Sequence, residues 1–159
     1  MIAGTPPIKP EVDSINAGFI LGHPAGKLTS KEEQFTEEES MLYHTSAGFS
    51  QTFTKVIEAG MRTDGVARMN MIKGFLTGQG EDELHLVESS DIPLAIANGV
   101  KDPFVNHDYI NNQVKYKNLY ENKRFKCAHV PFWELPEEFN IFLERFYNDV
   151  CKENKEWKI

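Results

Sequence analysis

The feature that most constrains this chain is a unit repeated in its second half, a short strand, a loop and a helix, met twice in succession. Residues 92–99 form a short apolar run bounded by Pro93 and Gly99. Such a run suits a strand buried on both faces of a parallel sheet. The pattern predicts a helix over residues 107–120 and a second short strand over 124–128. The last element has the plainest signature. Pro136 fits a first helical position, and Glu137 and Glu138 favour the positive end of a helix dipole. Phe139, Phe142, Leu143, Phe146, Tyr147 and Val150 then recur at helical spacing, a stripe expected to pack on the sheet. Strand and helix in alternation imply an α/β fold built on a parallel sheet.

In such sheets ligands bind where loops leave the carboxyl ends of the strands. Asp102 directly follows the first predicted strand, and His129 directly follows the second. Two titratable groups are thereby expected on one rim, on neighbouring loops. A histidine both takes and gives a proton near neutral pH. A carboxylate beside it fixes its tautomer and stabilises the imidazolium. A serine hydroxyl needs such a base, being a poor nucleophile unaided. Asp102 and His129 are therefore the candidate catalytic residues.

The first half reads differently. Met1–Ala3 has the character of a strand end, and Gly4, Thr5, Pro6 and Pro7 stop it, since proline cannot donate to a ladder. Residues 30–78 read as helical. Thr36 and Glu39 make a capping-box pattern, and Asp64 is placed to cap a further helix. Val66, Met69, Ile72 and Leu76 share one side of that helix, which Gly78 and Gly80 end. Glu32, Glu33, Glu37, Glu38 and Glu39 read as a solvated helix face.

The loops carry a resemblance. Gly99-Val100-Lys101-Asp102-Pro103-Phe104-Val105 is similar to the acid loop of α/β-hydrolases, with a glycine three positions before the acid. His129-Val130-Pro131-Phe132-Trp133-Glu134-Leu135-Pro136 resembles that family's histidine loop and the start of its final helix. The two residues stand 27 positions apart, room for one helix and one strand. Ala128 departs from the pattern, where the family has glycine. The resemblance implies the C-terminal portion of the fold: residues 1–10 the end of a core strand and its loop, 11–88 a helical cap, and 89–159 the last parallel strands and helices. It further implies a hydrolase of an ester or related bond in a small apolar substrate, with Asp102 orienting His129.

The nucleophile is the missing member. In this family it precedes acid and histidine, on a Gly-x-Ser-x-Gly elbow between strand and helix. No such motif occurs here. His44-Thr45-Ser46-Ala47-Gly48 imitates half of it, but inside a helical region with no strand before it. The expectation is that the serine lies outside this chain, and that the chain alone does not hydrolyse esters. An aspartate nucleophile, also outside the chain, is equally compatible. A missing half leaves a strand edge open, so a second chain carrying it, or self-association, is expected. The rival reading is a non-catalytic remnant or interaction module.

Charge narrows the partners. A net −7 disfavours nucleic acid and anionic membrane surfaces, and no apolar run is long enough to span a bilayer. Cys127 and Cys151 form no CxxC pair, and no signal peptide opens the chain, so a reducing cytoplasm is the simplest setting. No cofactor is implied. No metal is implied either, since adjacent His107 and Asp108 on a helix do not face one site.

Overall fold

The computed structural model describes residues 1–153. Its sheet has three parallel strands in the order β1 (Ile2–Ala3), β2 (Leu94–Gly99), β3 (Leu119–Phe125). The register pairs Ile2 with Ile96, and Ala97 with both Ala3 and Lys123. Helices α1 (Val12–Gly18), α2 (Glu37–Ser46), α3 (Thr54–Arg62), α4 (Gly65–Leu76) and α5 (Glu83–Ser89), with a 3₁₀ helix over Pro24–Ser30, fill the stretch between β1 and β2. After β2 come α6 (His107–Asn112), β3, the single turn α7 (Pro131–Glu134) and α8 (Pro136–Glu153).

β2 organises the core because its side chains alternate between two layers. Ile96 points into one, with Ile8, Val105, Tyr109, Ile110 and Val114. Ala95 and Ala97 face the other, with Phe125, Cys127, Phe139 and Phe142. The small alanines leave room for the rings of α8. All of residues 95–99 are buried, as a strand covered on both faces requires.

Several expected boundaries move. The helix expected over 107–120 stops at Asn112. Asn106 caps it, its Oδ1 accepting from the Asp108 and Tyr109 amides, while Asn111 and Asn112 are weak helix formers. The strand expected over 124–128 lies instead at Leu119–Phe125. Its charged residues disguise it, but they are paired: Glu121 with Arg145, and Lys123 with Glu138 at 3.6 Å. Ile92 is exposed and lies outside β2. On α8 the buried stripe is narrower than its sequence suggests, since Leu143 and Tyr147 are exposed.

The helical stretch over 30–78 is three helices separated by loops. The capping box on α2 is present, Thr36 Oγ1 accepting from the Glu39 amide at 3.2 Å and Glu39 Oε2 accepting from the Thr36 amide at 2.9 Å. Asp64 Oδ1 caps α4 at the Val66 amide. Gly78 and Gly80 follow α4 at φ +81° and +120°, a backbone that glycine adopts without penalty. Of the five glutamates, Glu32 and Glu33 belong to the loop before α2 rather than to a helix face. Arg68 holds that loop, donating to the Lys31 and Glu33 carbonyls with its guanidinium 3.8 Å above the Phe35 ring. Among the described residues no helix is long and apolar enough to cross a membrane.

Candidate active site

The loops leaving β2 and β3 are laced together before either functional side chain is reached. The Val100 amide donates to the Phe125 carbonyl at 2.8 Å, and the Lys101 amide to the Cys127 carbonyl at 3.0 Å. Gly99 permits the crossing, because a Cβ there would lie 1.7 Å from the Ala128 carbonyl oxygen. A tight turn closed by Asp102 N–H on the Gly99 carbonyl then carries the acid inward.

The Asp102 carboxylate is wholly buried, and both oxygens are used. Oδ1 accepts from the Phe104 and Val105 amides at 2.8 and 3.2 Å. Oδ2 lies 2.8 Å from His129 Nδ1. An ionised carboxylate only accepts, so Nδ1 carries the proton and Nε2 of the neutral ring keeps its lone pair. The His129 ring is otherwise confined by carbon. Phe104 meets it edge-on at 5.1 Å, and Gly4, at φ +70°, sits where a Cβ would come within 3.3 Å of Cε1. Gly4 is held in turn by its amide, which donates to the buried Asn98 Oδ1 at 2.9 Å.

His129 borders a cavity of about 700 Å³ between the sheet rim and the helices that follow β1. Ile8, Ile15, Phe19, Met71, Ile72 and Phe75 line its apolar wall. Of the side of α4 marked by periodicity, Ile72 and Leu76 line this cavity. Tyr43 from α2 and Phe104 also border it, with their rings stacked at 6.3 Å.

Other candidates fall away on geometry. Ser46 ends α2, and its hydroxyl donates to the Leu42 carbonyl at 2.6 Å. It is its neighbour Ala47 that meets the histidine loop, accepting from the His129 amide at 3.2 Å. The Cys127 thiol is buried, which pushes its pKa up to about 12, with the Glu134 carboxylate adding to the shift; it stays protonated and unreactive. His107 Nδ1 pairs with the Arg124 guanidinium, and burial, then that cation, lowers its pKa. Among the described residues no group of three or more His, Cys, Asp or Glu side chains could hold a metal ion.

Sequence reasoning singled out Asp102 and His129 but passed over Gly4, Ala47 and Glu134, which touch the same loop. Their contacts are long-range or run through backbone atoms, so no local spacing announces them. Glu134 lies within the histidine-loop motif, four residues after Val130, whose amide it reaches at 3.4 Å.

No family model matches the chain, and no curated protein matches it. Solved structures of one enzyme do. A serine-to-glycine variant of the N-acyl homoserine lactonase AidH, complexed with N-hexanoyl homoserine lactone, superposes with a TM-score of 0.86 at 32% identity, over 96% of this chain and 55% of that one. The same lactonase complexed with N-butanoyl homoserine gives 0.85 at 33% identity, over 94% and 54%. A glutamate-to-glycine variant complexed with N-hexanoyl homoserine gives the same values. The chain thus spans about half the length of the enzyme it matches.

Proposed function

We propose that this chain, whose structure fits a C-terminal portion of an α/β-hydrolase fold, supplies the acid–base half of a hydrolase site, acting on an ester or lactone with an apolar acyl chain. One observation carries the reading. The buried Asp102 carboxylate engages His129 Nδ1 at 2.8 Å, while the ring borders an apolar cavity of about 700 Å³. That arrangement leaves Nε2 as the nitrogen available for proton transfer.

The reaction follows from these parts. A serine hydroxyl, delivered by a segment outside this chain on a Gly-x-Ser-x-Gly elbow, gives its proton to His129 Nε2 as its oxygen attacks the carbonyl carbon. The negative oxygen that develops needs two N–H donors, which that same outside segment supplies. The imidazolium, stabilised by Asp102, then protonates the departing alkoxide oxygen. In a lactone that alcohol stays tethered to the acyl group. Water, deprotonated by the same nitrogen, then attacks the acyl carbon; the bond to the serine oxygen breaks, that oxygen takes the proton back from Nε2, and the acid leaves. The substrate class rests on the cavity wall of Ile15, Phe19, Met71, Ile72 and Phe75, and on the acyl homoserine ligands of the similar lactonase.

The residues between β1 and β2 act in this reading as a cap over the site. The other half of the fold, on the same polypeptide or another, would dock along β1, which pairs on only one side among the described residues, and self-association along that edge is the alternative. The test is complementation: mix the chain with a polypeptide holding the nucleophile-bearing half, and follow cleavage of hexanoyl homoserine lactone and p-nitrophenyl hexanoate. Hydrolysis should appear only in the mixture. His129→Ala should lower its rate at least ~10³-fold. A mixture that hydrolyses equally well without His129, or an inactive mixture that nevertheless assembles, favours the non-catalytic reading.

A further inference from the structure

Three consecutive backbone amides of the histidine loop, those of Ala128, His129 and Val130, are each held by an acceptor. Ala128 N–H donates to Glu134 Oε2 at 3.0 Å, and Val130 N–H donates to Glu134 Oε1 at 3.4 Å. Between them His129 N–H donates to the Ala47 carbonyl at 3.2 Å. The single turn of α7 makes this possible, bringing the half-buried Glu134 side chain back over the residues that precede the turn. On its far side the carboxylate lies against Gly48, at φ +106°, where a Cβ would stand 2.4 Å from Glu134 Cδ. The exit of α2 is therefore shaped to accept this carboxylate.

We propose that Glu134 is a positioning residue for His129, acting through the backbone of the histidine loop. A loop amide needs one acceptor, and water would serve as well. One carboxylate spanning Ala128 and Val130 does something separate waters do not: it fixes the Val130 N–H plane, which flanks the His129 Cα, relative to the Ala128 N–H plane one residue before, while Ala47 holds the His129 N–H plane between them. Hydrogen bonds to an ionised acceptor are also about twice as strong as neutral ones. The imidazole must meet Asp102 Oδ2 at 2.8 Å with Nδ1, and the side chain offers only two torsions to correct a misdirected backbone. Through Ala47 and Gly48 the same brace links the imidazole to the end of α2. The inference rests on the reading of Asp102 and His129 as a functional pair, but its test needs no nucleophile and no turnover.

The experiment is nitrogen-15 NMR of the 159-residue chain, following the His129 Nδ1–H proton in its bond to Asp102, assigned by its absence in His129→Asn. In Glu134→Gln an N–H group replaces one acceptor oxygen and opposes a backbone N–H, so one of the two bonds must break. The Nδ1–H signal should be lost to exchange with solvent, while the amides of Ala95, Ile96 and Ala97 keep their shifts and unfolding stays cooperative. An unchanged Nδ1–H signal beside altered Ala128 and Val130 amides would overturn the proposal, leaving Glu134 a support of the loop alone. Should Glu134→Gln fail to fold, deuterium exchange of the unaltered protein decides. Ala128 and Val130 amides must be protected as β2 amides are, and exchange at the rate of free loop residues would overturn the proposal. Complementation failing while these NMR results hold would remove the hydrolase reading and leave the brace standing.

Discussion

Asp102 divides its oxygens between two tasks, one anchoring its own loop and the other orienting a ring. Both residues of the pair were legible in the sequence because each directly follows a strand signal and sits in a distinctive loop. Ala47 was not, since its contact with the His129 amide joins segments far apart in the chain, and Glu134 was not, since it acts on backbone amides that carry no sequence signature. His107 shows how a residue can titrate without serving as a base. Burial first, and the Arg124 cation second, hold its pKa below the ordinary histidine value, with Gly99, Asp102 and Asp108 opposing. The folded protein thus binds this proton less readily than the unfolded chain, whose histidines titrate near ~6.5. Stability from this source is complete above that pH and is lost as pH falls through the lower folded value. Urea unfolding at pH 7.5 and 5.5 should show a loss on acidification that His107→Gln reduces. An equal loss in both proteins would contradict the assignment.

At the scale of elements, the strands were read with unequal success for one physical reason. β2 is covered on both faces, so its composition is nearly all apolar and its period is irrelevant. β3 pairs with β2 alone among the described residues; its Glu121 and Lys123 find ion partners on α8, and its Arg124 meets His107 of α6. A strand stabilised that way carries no hydrophobic signature, and the expected helix was drawn across its first residues. The ends of the two strands matter more than their middles. Gly99 lets the acid loop cross the histidine loop with backbone against backbone, where nothing flexible can yield. Gly99→Ala should therefore cost at least ~2 kcal/mol, read as a lower midpoint in chemical denaturation. It should also disturb the Asp102–His129 hydrogen bond. A variant as stable as the parent would show that the crossing is looser than described.

At the scale of the whole molecule, a parallel sheet offers its rim to one side and a set of helices encloses a cavity over it. The composition of those helices was legible, but not their arrangement, because a cavity-facing residue and a core-facing residue look alike in sequence. Val66 and Leu76 illustrate the ambiguity, since both are apolar, at helical spacing and substantially exposed. If the cavity takes an acyl chain, Ile72→Trp should penalise hexanoyl over acetyl p-nitrophenyl esters by ~10-fold or more in kcat/KM, since each methylene in such a pocket is worth about 1–3 kcal/mol. An unchanged preference would place the acyl chain elsewhere.

The central claim is that Asp102 and His129 act as one unit, and a double-mutant cycle in the complemented assay tests it most directly. Asp102→Asn, His129→Ala and the double variant would be compared for hydrolysis of hexanoyl homoserine lactone. Residues of one catalytic unit are strongly non-additive. The account predicts that each single change lowers kcat by ~10³-fold or more and that the double variant is no slower than His129→Ala. Losses that multiply in the double variant would mean the two side chains contribute independently, and the account would be wrong.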